Sequence, residues 1–303
     1  MNPGYDRPLY LLPFDHRHSY VSEMFHFTPP LSAEQRGTVA ASKQVIYDGF
    51  REALARGLPV DRAGILVDEE FGSEILVDAR KHGYVTALST ETSGSEEFEF
   101  EYGDRFADHL REFAPTFAKV LVRYNPAGNY ARNQRQVARL KQLSDYCRQA
   151  GQRFMFELLV PATEAQLLEV KGEQAAYDLR IRPDMMIETI QALQEAGVEP
   201  DIWKLEGVDR REDCKRLVAV ARRDGRDHVS CIVLGRGADE KKVVQWLKVA
   251  ASVLGFTGFA VGRTSFWDPV ADLLAGRVTR EAAVARIAGR YLEWASIFER
   301  AQP

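Results

Sequence analysis

The chain alternates short apolar runs with longer segments in which apolar residues recur at helical spacing. The apolar runs occupy residues 9–14, 63–70, 84–91, 117–125, 152–160, 201–207, 230–237 and 256–263. Runs this short and this rich in Val, Ile, Leu and Phe are typical of parallel strands buried on both faces. The segments between them predict helices, for example over 33–57 and 134–150, and glycines such as Gly83 and Gly151 follow several of these helices.

Eight strand-and-helix units, with a last helical segment from Val270 onward, predict a (β/α)8 TIM barrel of the α/β class. A doubly wound open sheet is the alternative, but it normally carries G-x-G-x-x-G after an early strand. No such motif follows the first strand, and "GRGADE" after the seventh lacks the third glycine. Since no linker or low-complexity tract interrupts the pattern, a single domain over 1–303 is predicted.

Composition narrows the function classes. The net charge of -4 and the absence of a broad basic stretch argue against nucleic acid as a partner. We find no signal peptide and no apolar segment long enough to cross a bilayer, so we predict a cytoplasmic protein without a membrane partner. Cys147, Cys214 and Cys231 show neither metal nor disulfide spacing, which indicates buried, reduced thiols. Oligomeric state is not indicated, and a homo-oligomer is left open.

Catalytic groups of a barrel collect at the C-terminal ends of its strands. The first strand is followed by "DHRH", where His16 and His18 have the spacing used by metal-dependent barrel hydrolases. That class needs further histidine ligands near the fifth and sixth strands, and no histidine lies there. We therefore predict neither a metal nor a cofactor, and expect His16 or His18 to donate a hydrogen bond to a substrate.

Lys204 is the most unusual residue, because it lies in the middle of the apolar strand "DIWKLEG". Burying an ammonium costs several kcal/mol, so an outward lysine or one paired with Glu206 is the structural alternative. By alternation Lys204, Glu206 and Ile202 face the same side of the strand. Lys119 repeats the pattern in "FAKVLVRYN". Two inward lysines repel each other, and burial adds to this, so a lowered pKa and a neutral amine suited to Schiff-base chemistry are predicted.

Two acidic features accompany the lysines. Glu157 is a lone carboxylate in "FMFELLV", and it is predicted to form a buried salt bridge with Lys119, to carry protons, or both. The segment 91–104, "ETSGSEEFEFEYGD", is predicted to be an extended loop after the third strand. Its carboxylates are expected to be solvated rather than catalytic.

Glycine and arginine stand together after the last two strands. Gly235, Arg236 and Gly237 follow the seventh, and Gly262 and Arg263 follow the eighth. Backbone N–H groups at such turns and at helix N-termini bind anions, and arginine adds a bidentate clamp. Because these two loops form the habitual phosphate site of the fold, we predict a bound phosphate there.

The motifs "LLPFDHRHSYVSEMF", "WKLEG" and "GFAVGRTSFWDP" resemble the aldolase-type domain that is often fused to 5-dehydro-2-deoxygluconokinase in inositol breakdown. That domain is similar to the class I tagatose-1,6-bisphosphate aldolases. The resemblance covers essentially the whole chain, without the kinase half. The fused domains have "WKLEP" and a "GLDA"-like turn, whereas this chain has "WKLEG" and "GRGA", which makes Arg236 an additional cation.

The resemblance implies a metal-free Schiff-base aldolase acting on a small sugar phosphate. It assigns the imine to Lys204, acid–base work to Glu157, assistance to Lys119, a polar role to Asp15 and phosphate binding to Arg263. The implied substrate is 2-deoxy-5-keto-D-gluconate 6-phosphate, whose carboxylate Arg17 or Arg123 would bind. A class I aldolase for tagatose, fructose or sulfo-sugar phosphates, and a non-catalytic sugar-phosphate-binding barrel, are the alternatives.

Overall fold

Each predicted apolar run forms a strand in the computed structural model, which describes residues 3–303. The strands are β1 Leu9–Pro13, β2 Ala63–Val67, β3 Val85–Ser89, β4 Phe117–Arg123, β5 Arg153–Leu159, β6 Ile202–Glu206, β7 Ser230–Leu234 and β8 Phe256–Ala260. Every strand is parallel to the next, and β8 pairs with β1 to close the barrel. The prediction of a (β/α)8 TIM barrel is therefore confirmed.

Alternation along the strands separates two apolar layers. One residue set fills the inside of the barrel and comes from all eight strands: Leu9, Leu11, Leu66, Ala87, Phe117, Met155, Ile202, Ile232 and Ala260. The neighbouring positions, such as Trp203 and Leu205, belong to the larger core between strands and helices. Since side chains alternate along a strand, the face that carries Ile202 is also the face that carries Lys204.

Helices surround the strands in the order that the sequence predicts. They are α1 His18–Met24, α2 Ala33–Ala55, α3 Glu69–Lys81, α4 Phe106–Phe113, α5 Tyr130–Ala150, α6 Glu164–Glu169, α7 Gln174–Arg180, α8 Arg182–Glu195, α9 Arg211–Ala221, α10 Glu240–Ala251, α11 Arg263–Leu274 and α12 Arg280–Arg300. A short 3-10 helix, Gly103–Arg105, precedes α4.

Two helix predictions need correction. The last helical segment begins at Arg263 and not at Val270, because α11 runs through Pro269. Before β6 the chain forms α6 and α7 in addition to the predicted helix, so the β5–α8 connection covers the barrel end more fully than expected. The three cysteines are buried, as predicted, and burial raises the pKa of Cys147 to about 12. Within residues 3–303 no helix has the length and apolarity to span a membrane.

Candidate active site

A cavity of about 890 Å³ opens at the C-terminal ends of the strands. The lining includes every predicted site residue except Lys119, which is fully buried beneath it: Asp15, His16, Arg17, Arg123, Glu157, Lys204, Gly235, Arg236, Gly237, Gly262 and Arg263. Polar groups from six strands and their following loops thus face one space. Cavities of this size and position hold the substrates of barrel enzymes.

Lys204 points into the barrel and contacts Glu157. The two residues are register partners on β6 and β5, and Lys204 Nζ lies 2.7 Å from Glu157 Oε1. Lys204 is 3% exposed, so its amine is screened from bulk water but still reaches the cavity. The outward-facing alternative is wrong. Pairing with Glu206 is also wrong, because that carboxylate contacts Arg182 and Arg236 instead.

Lys119 lies below the cavity and is surrounded by three carboxylates. Its Nζ is 2.8 Å from Asp15 Oδ2, 2.7 Å from Glu91 Oε1 and 2.9 Å from Glu157 Oε2. Burial alone lowers the pKa of Lys119, but these carboxylates outweigh burial and hold the pKa well above its usual range. The predicted lowering of the pKa by lysine–lysine repulsion is therefore wrong for Lys119, because the carboxylates lie between and around the two ammonium groups.

Asp15 and Glu157 respond to the same cluster in the opposite direction. Burial raises the pKa of each carboxyl, but the nearby charges of Lys119 and Lys204 outweigh it and lower both pKa values. Ser89 Oγ also donates a hydrogen bond of 2.8 Å to Asp15 Oδ2. Both groups therefore remain carboxylates near neutral pH. Glu157 bridges the two lysines, so it combines the predicted salt bridge with a position from which it can accept a proton from Lys204.

Glu91 is the residue that the sequence reasoning missed. It directly follows β3 and Thr90, and it is 9% exposed, so the expectation of solvated carboxylates over 91–104 is wrong for this residue. Burial raises the pKa of Glu91, and the charge of Lys119 only partly opposes this. The sequence signal that could have identified Glu91 as a site residue is its position at the C-terminal end of a strand. The loop's acidic composition concealed it, because other members of the segment, such as Glu97, do face the surface arginines of α5.

Arg17 and His16 belong to the rim formed after β1. The Arg17 guanidinium donates to the backbone carbonyl of Glu91 and lies 3.2 Å from Glu101, so protein groups already occupy it. The Nδ1 atom of His16 is buried without a hydrogen-bond partner. Burial lowers the pKa of His16 to about 4, so the imidazole is neutral at physiological pH. A neutral ring is suited to donating or accepting one hydrogen bond at the cavity wall.

The residues of the predicted anion site lie on the opposite wall, where carboxylates pair with both arginines. Arg236 Nε lies 3.0 Å from Glu206 Oε1, and its Nη1 lies 2.8 Å from Asp178 Oδ2. Gly262 precedes the first residue of α11, Arg263, whose guanidinium pairs with Glu23 and lies 4.1 Å from the ring centre of Trp267.

Backbone space at this wall is restricted. A Cβ added to Gly262 would lie 2.2 Å from the carbonyl oxygen of Pro13, so only glycine lets the β8–α11 turn approach β1. Gly237 has a φ of +67° and Arg236 a φ of +50°, which fold the turn after β7 over the cavity. At the far lip, Arg123 is exposed, with a hydrogen bond of 3.3 Å to the carbonyl of Ser95.

The closed βα barrel, with a charged cavity at the C-terminal strand ends, defines the structural class of the protein. Residues 4–302 match the model of the family described as uncharacterized protein conserved in bacteria (DUF2090), and the chain belongs to this family. No curated protein matches the chain.

Two solved structures resemble the chain over nearly its full length. Cgl0159 from Corynebacterium glutamicum matches with a TM-score of 0.56 and 17% identity, over 97% of this chain and 88% of that protein. An archaeal fructose 1,6-bisphosphate aldolase matches with a TM-score of 0.57 and 14% identity, over 93% of this chain and 94% of the aldolase. At these identities the likeness shows a shared barrel fold.

Proposed function

We propose that this protein is a class I aldolase that cleaves a phosphorylated keto-sugar acid through a Schiff base on Lys204. The observation that carries the proposal is a buried lysine whose Nζ lies 2.7 Å from the carboxylate of Glu157 and which also lines the cavity. Nucleophilic lysines of this kind need a nearby proton acceptor and shielding from water, and both are present. The archaeal aldolase with the same fold supports this choice of reaction class.

The first step joins the amine to a ketone. Glu157 takes a proton from the Lys204 ammonium, and the resulting amine adds to the substrate carbonyl. Glu157 then returns its proton to the hydroxyl of the addition product, and loss of water gives an iminium on Nζ and restores the Glu157 carboxylate. This cation is an electron sink for the bond between the α and β carbons, which breaks in the next step. Lys119, held by Asp15 and Glu157, supplies a fixed positive charge close to the new bond.

The second step breaks the bond. A carboxylate, for which Glu157 is placed directly or through water, removes the proton of the hydroxyl β to the iminium. The electron pair of the broken bond moves into an enamine on Lys204, and an aldehyde leaves. Protonation of the enamine carbon and hydrolysis of the iminium return the amine and release the phosphorylated ketone. Each proton taken from substrate is thus returned to product.

The proposed substrate is 2-deoxy-5-keto-D-gluconate 6-phosphate, which would give dihydroxyacetone phosphate and malonate semialdehyde. The sequence resemblance is the ground for this choice. Cations at both sides of the cavity support a substrate with two anionic ends: Arg236 and Arg263 stand at the proposed phosphate end, and Arg123 stands at the opposite lip.

Borohydride trapping tests the mechanism. Reduction in the presence of dihydroxyacetone phosphate should leave a stable adduct on the peptide that contains Lys204, and the Lys204→Arg variant should give none. EDTA should not affect trapping. An adduct on Lys119 alone would contradict the proposal and move the Schiff base to that residue. No adduct at all would contradict it and favour a sugar-phosphate-binding barrel without turnover.

A substrate panel tests the specificity. Release of dihydroxyacetone phosphate should be fastest from 2-deoxy-5-keto-D-gluconate 6-phosphate, and slower from tagatose, fructose and sulfo-sugar phosphates. A reversed order would keep the reaction class and replace the substrate.

A further inference from the structure

The charges around Lys119 balance without Glu91. Asp15 and Glu157 contribute two carboxylates, and Lys119 and Lys204 contribute two ammonium groups, all in contact through Lys119 and Glu157. An ionised Glu91 would add a third negative charge to a buried cluster, and an uncompensated buried charge is strongly unfavourable. The net charge of these four groups stays at zero when Lys204 loses its proton to Glu157, because this transfer neutralises one charge of each sign.

Arg17 opposes the rise in the pKa of Glu91 but does not outweigh burial. Its guanidinium donates to the backbone carbonyl of Glu91 and not to the carboxyl group. A second carboxylate, that of Glu101, lies 3.2 Å from Arg17 and matches its charge. The charged groups that face Glu91 are therefore Lys119 from β4, Asp15 after β1, and the Arg17–Glu101 pair.

The two carboxyl oxygens of Glu91 have unequal surroundings. Oε1 accepts a hydrogen bond of 2.7 Å from Lys119, whereas Oε2 is buried and has no partner. An ionised carboxylate needs donors at both oxygens when it is removed from water. A neutral carboxyl group loses much less hydration free energy on burial than a carboxylate, so this position favours the protonated form.

We propose that Glu91 is protonated in the resting protein and that its neutral carboxyl positions Lys119 between Asp15 and Glu157. Burial raises the pKa of Glu91, whereas the lysines lower the pKa of Asp15 and Glu157, so the proton resides on the residue that the charge count selects. Glu91 is a positioning residue, because it acts on the reaction through Lys119. Its effect on turnover rests on the proposed aldolase function, but its protonation does not.

Deprotonation of Glu91 would change the cluster. The lost proton would pass to hydroxide or buffer, and the new carboxylate would draw the Lys119 ammonium away from Glu157. The contact between Glu157 and Lys119 would then lengthen, and Glu157 would no longer hold Lys204 in its resting position. We therefore expect turnover to fall on the alkaline side of the pH profile as Glu91 ionises.

Infrared spectroscopy of the full-length protein tests the protonation directly and needs no activity. The wild-type protein at neutral pH should show the C=O stretching band of a protonated carboxylic acid, shifted in D₂O and lost in Glu91→Gln. The matched control is Glu96→Gln in the same loop, an 81% exposed side chain, which should keep the band. Absence of the band from the wild-type protein at neutral pH would overturn the proposal.

The pH profile of turnover tests the positioning role. Glu91→Gln, which keeps a neutral side chain, should lower kcat by less than about ten-fold at neutral pH and should remove the alkaline fall. Glu157→Gln should instead cost about 10²- to 10⁴-fold. Equal losses in the two variants with an unchanged alkaline limb would overturn the positioning role. Failure of borohydride trapping at Lys204 would overturn the aldolase function while leaving the infrared result intact.

Discussion

Lys204 and Glu157 are register partners on adjacent strands, and their side chains meet inside the barrel with 2.7 Å between Nζ and Oε1. Because neighbouring parallel strands fix both backbones, this pair does not depend on a loop conformation. Glu157 Oε2 then reaches Lys119 at 2.9 Å on the next strand, so three strands hold one continuous ionic chain.

Removing the shared ammonium should destabilise the fold. Lys119→Met leaves Asp15, Glu91 and Glu157 without their common partner, and breaking a buried ion pair costs about 3–5 kcal/mol. Urea unfolding at neutral pH should show a loss of this size in the free energy of unfolding. Lys215→Met, at a surface lysine 49% exposed and paired with Glu212, should change it by less than about 1 kcal/mol. Equal effects in both variants would contradict a structural role for Lys119.

His16 should make stability depend on pH in a specific window. Its pKa in the folded protein is about 4, below the ordinary value near 6.5, so the unfolded chain binds the proton more readily. Stability should therefore decrease as pH falls from about 6.5 to 4, by on the order of 3 kcal/mol. His16→Gln should flatten this part of the curve, whereas His228→Gln, on the surface, should not.

Asp15 and Glu157 should make stability depend on pH in a lower pH range than His16 does. Lys119 and Lys204 lower the pKa values of Asp15 and Glu157, so their contribution to stability is present above the ordinary carboxyl pKa near 4. It should be lost as pH falls below about 4. Unfolding measured from pH 5 to 2 should show this second loss in His16→Gln as well. A curve with no change below pH 4 would mean that these carboxylates are not ionised in the folded protein.

Arg263 should contribute to binding only when the ligand carries a phosphate. A hydrogen bond to a charged group contributes about 1.5–3 kcal/mol, so Arg263→Ala should raise KM or Kd for a phosphorylated ligand by roughly 10- to 100-fold. Affinity for the unphosphorylated sugar should change little. Arg277→Ala, an exposed arginine beyond the same helix, is the matched control. An equal loss with both ligands would place the phosphate elsewhere.

Gly262 should tolerate no side chain. An alanine Cβ would lie 2.2 Å from the Pro13 carbonyl, so Gly262→Ala should cost about 1–3 kcal/mol of unfolding free energy through overpacking. A Cβ added to Gly289 on α12 would meet no heavy atom within 4 Å. Gly289→Ala should therefore stabilise the helix by about 0.5–1 kcal/mol. Thermal unfolding of the two variants should therefore shift in opposite directions.

The barrel was predictable from the sequence because each strand is buried on both faces and is bounded by helical periodicity. The two-residue period predicted that Lys204 lies on the same side of its strand as Ile202, but it did not decide whether that side faces the inside of the barrel. The path of the chain after β3 could not be predicted. Glu91 turns inward because its backbone pairs with Phe100 in an isolated bridge, and no local pattern encodes that pairing.

The surroundings of the lysines were also beyond the sequence. Repulsion between Lys119 and Lys204 was the natural expectation from two inward ammonium groups, but it ignored how many carboxylates share the space. Asp15 lies in the loop after β1, which ends at Pro13, and only the closed barrel brings it to Lys119. Helix α11 begins at Arg263, seven residues before the predicted start at Val270, and it contains Pro269.

The ionic chain and the two arginines of the cavity wall occupy separate arcs of the barrel mouth. The lysines and Glu157 project from β4, β5 and β6, while Arg236 and Arg263 follow β7 and β8. A mutant library confined to residues 235–239 and 262–264 would therefore change the wall that carries the arginines without replacing any member of the ionic chain.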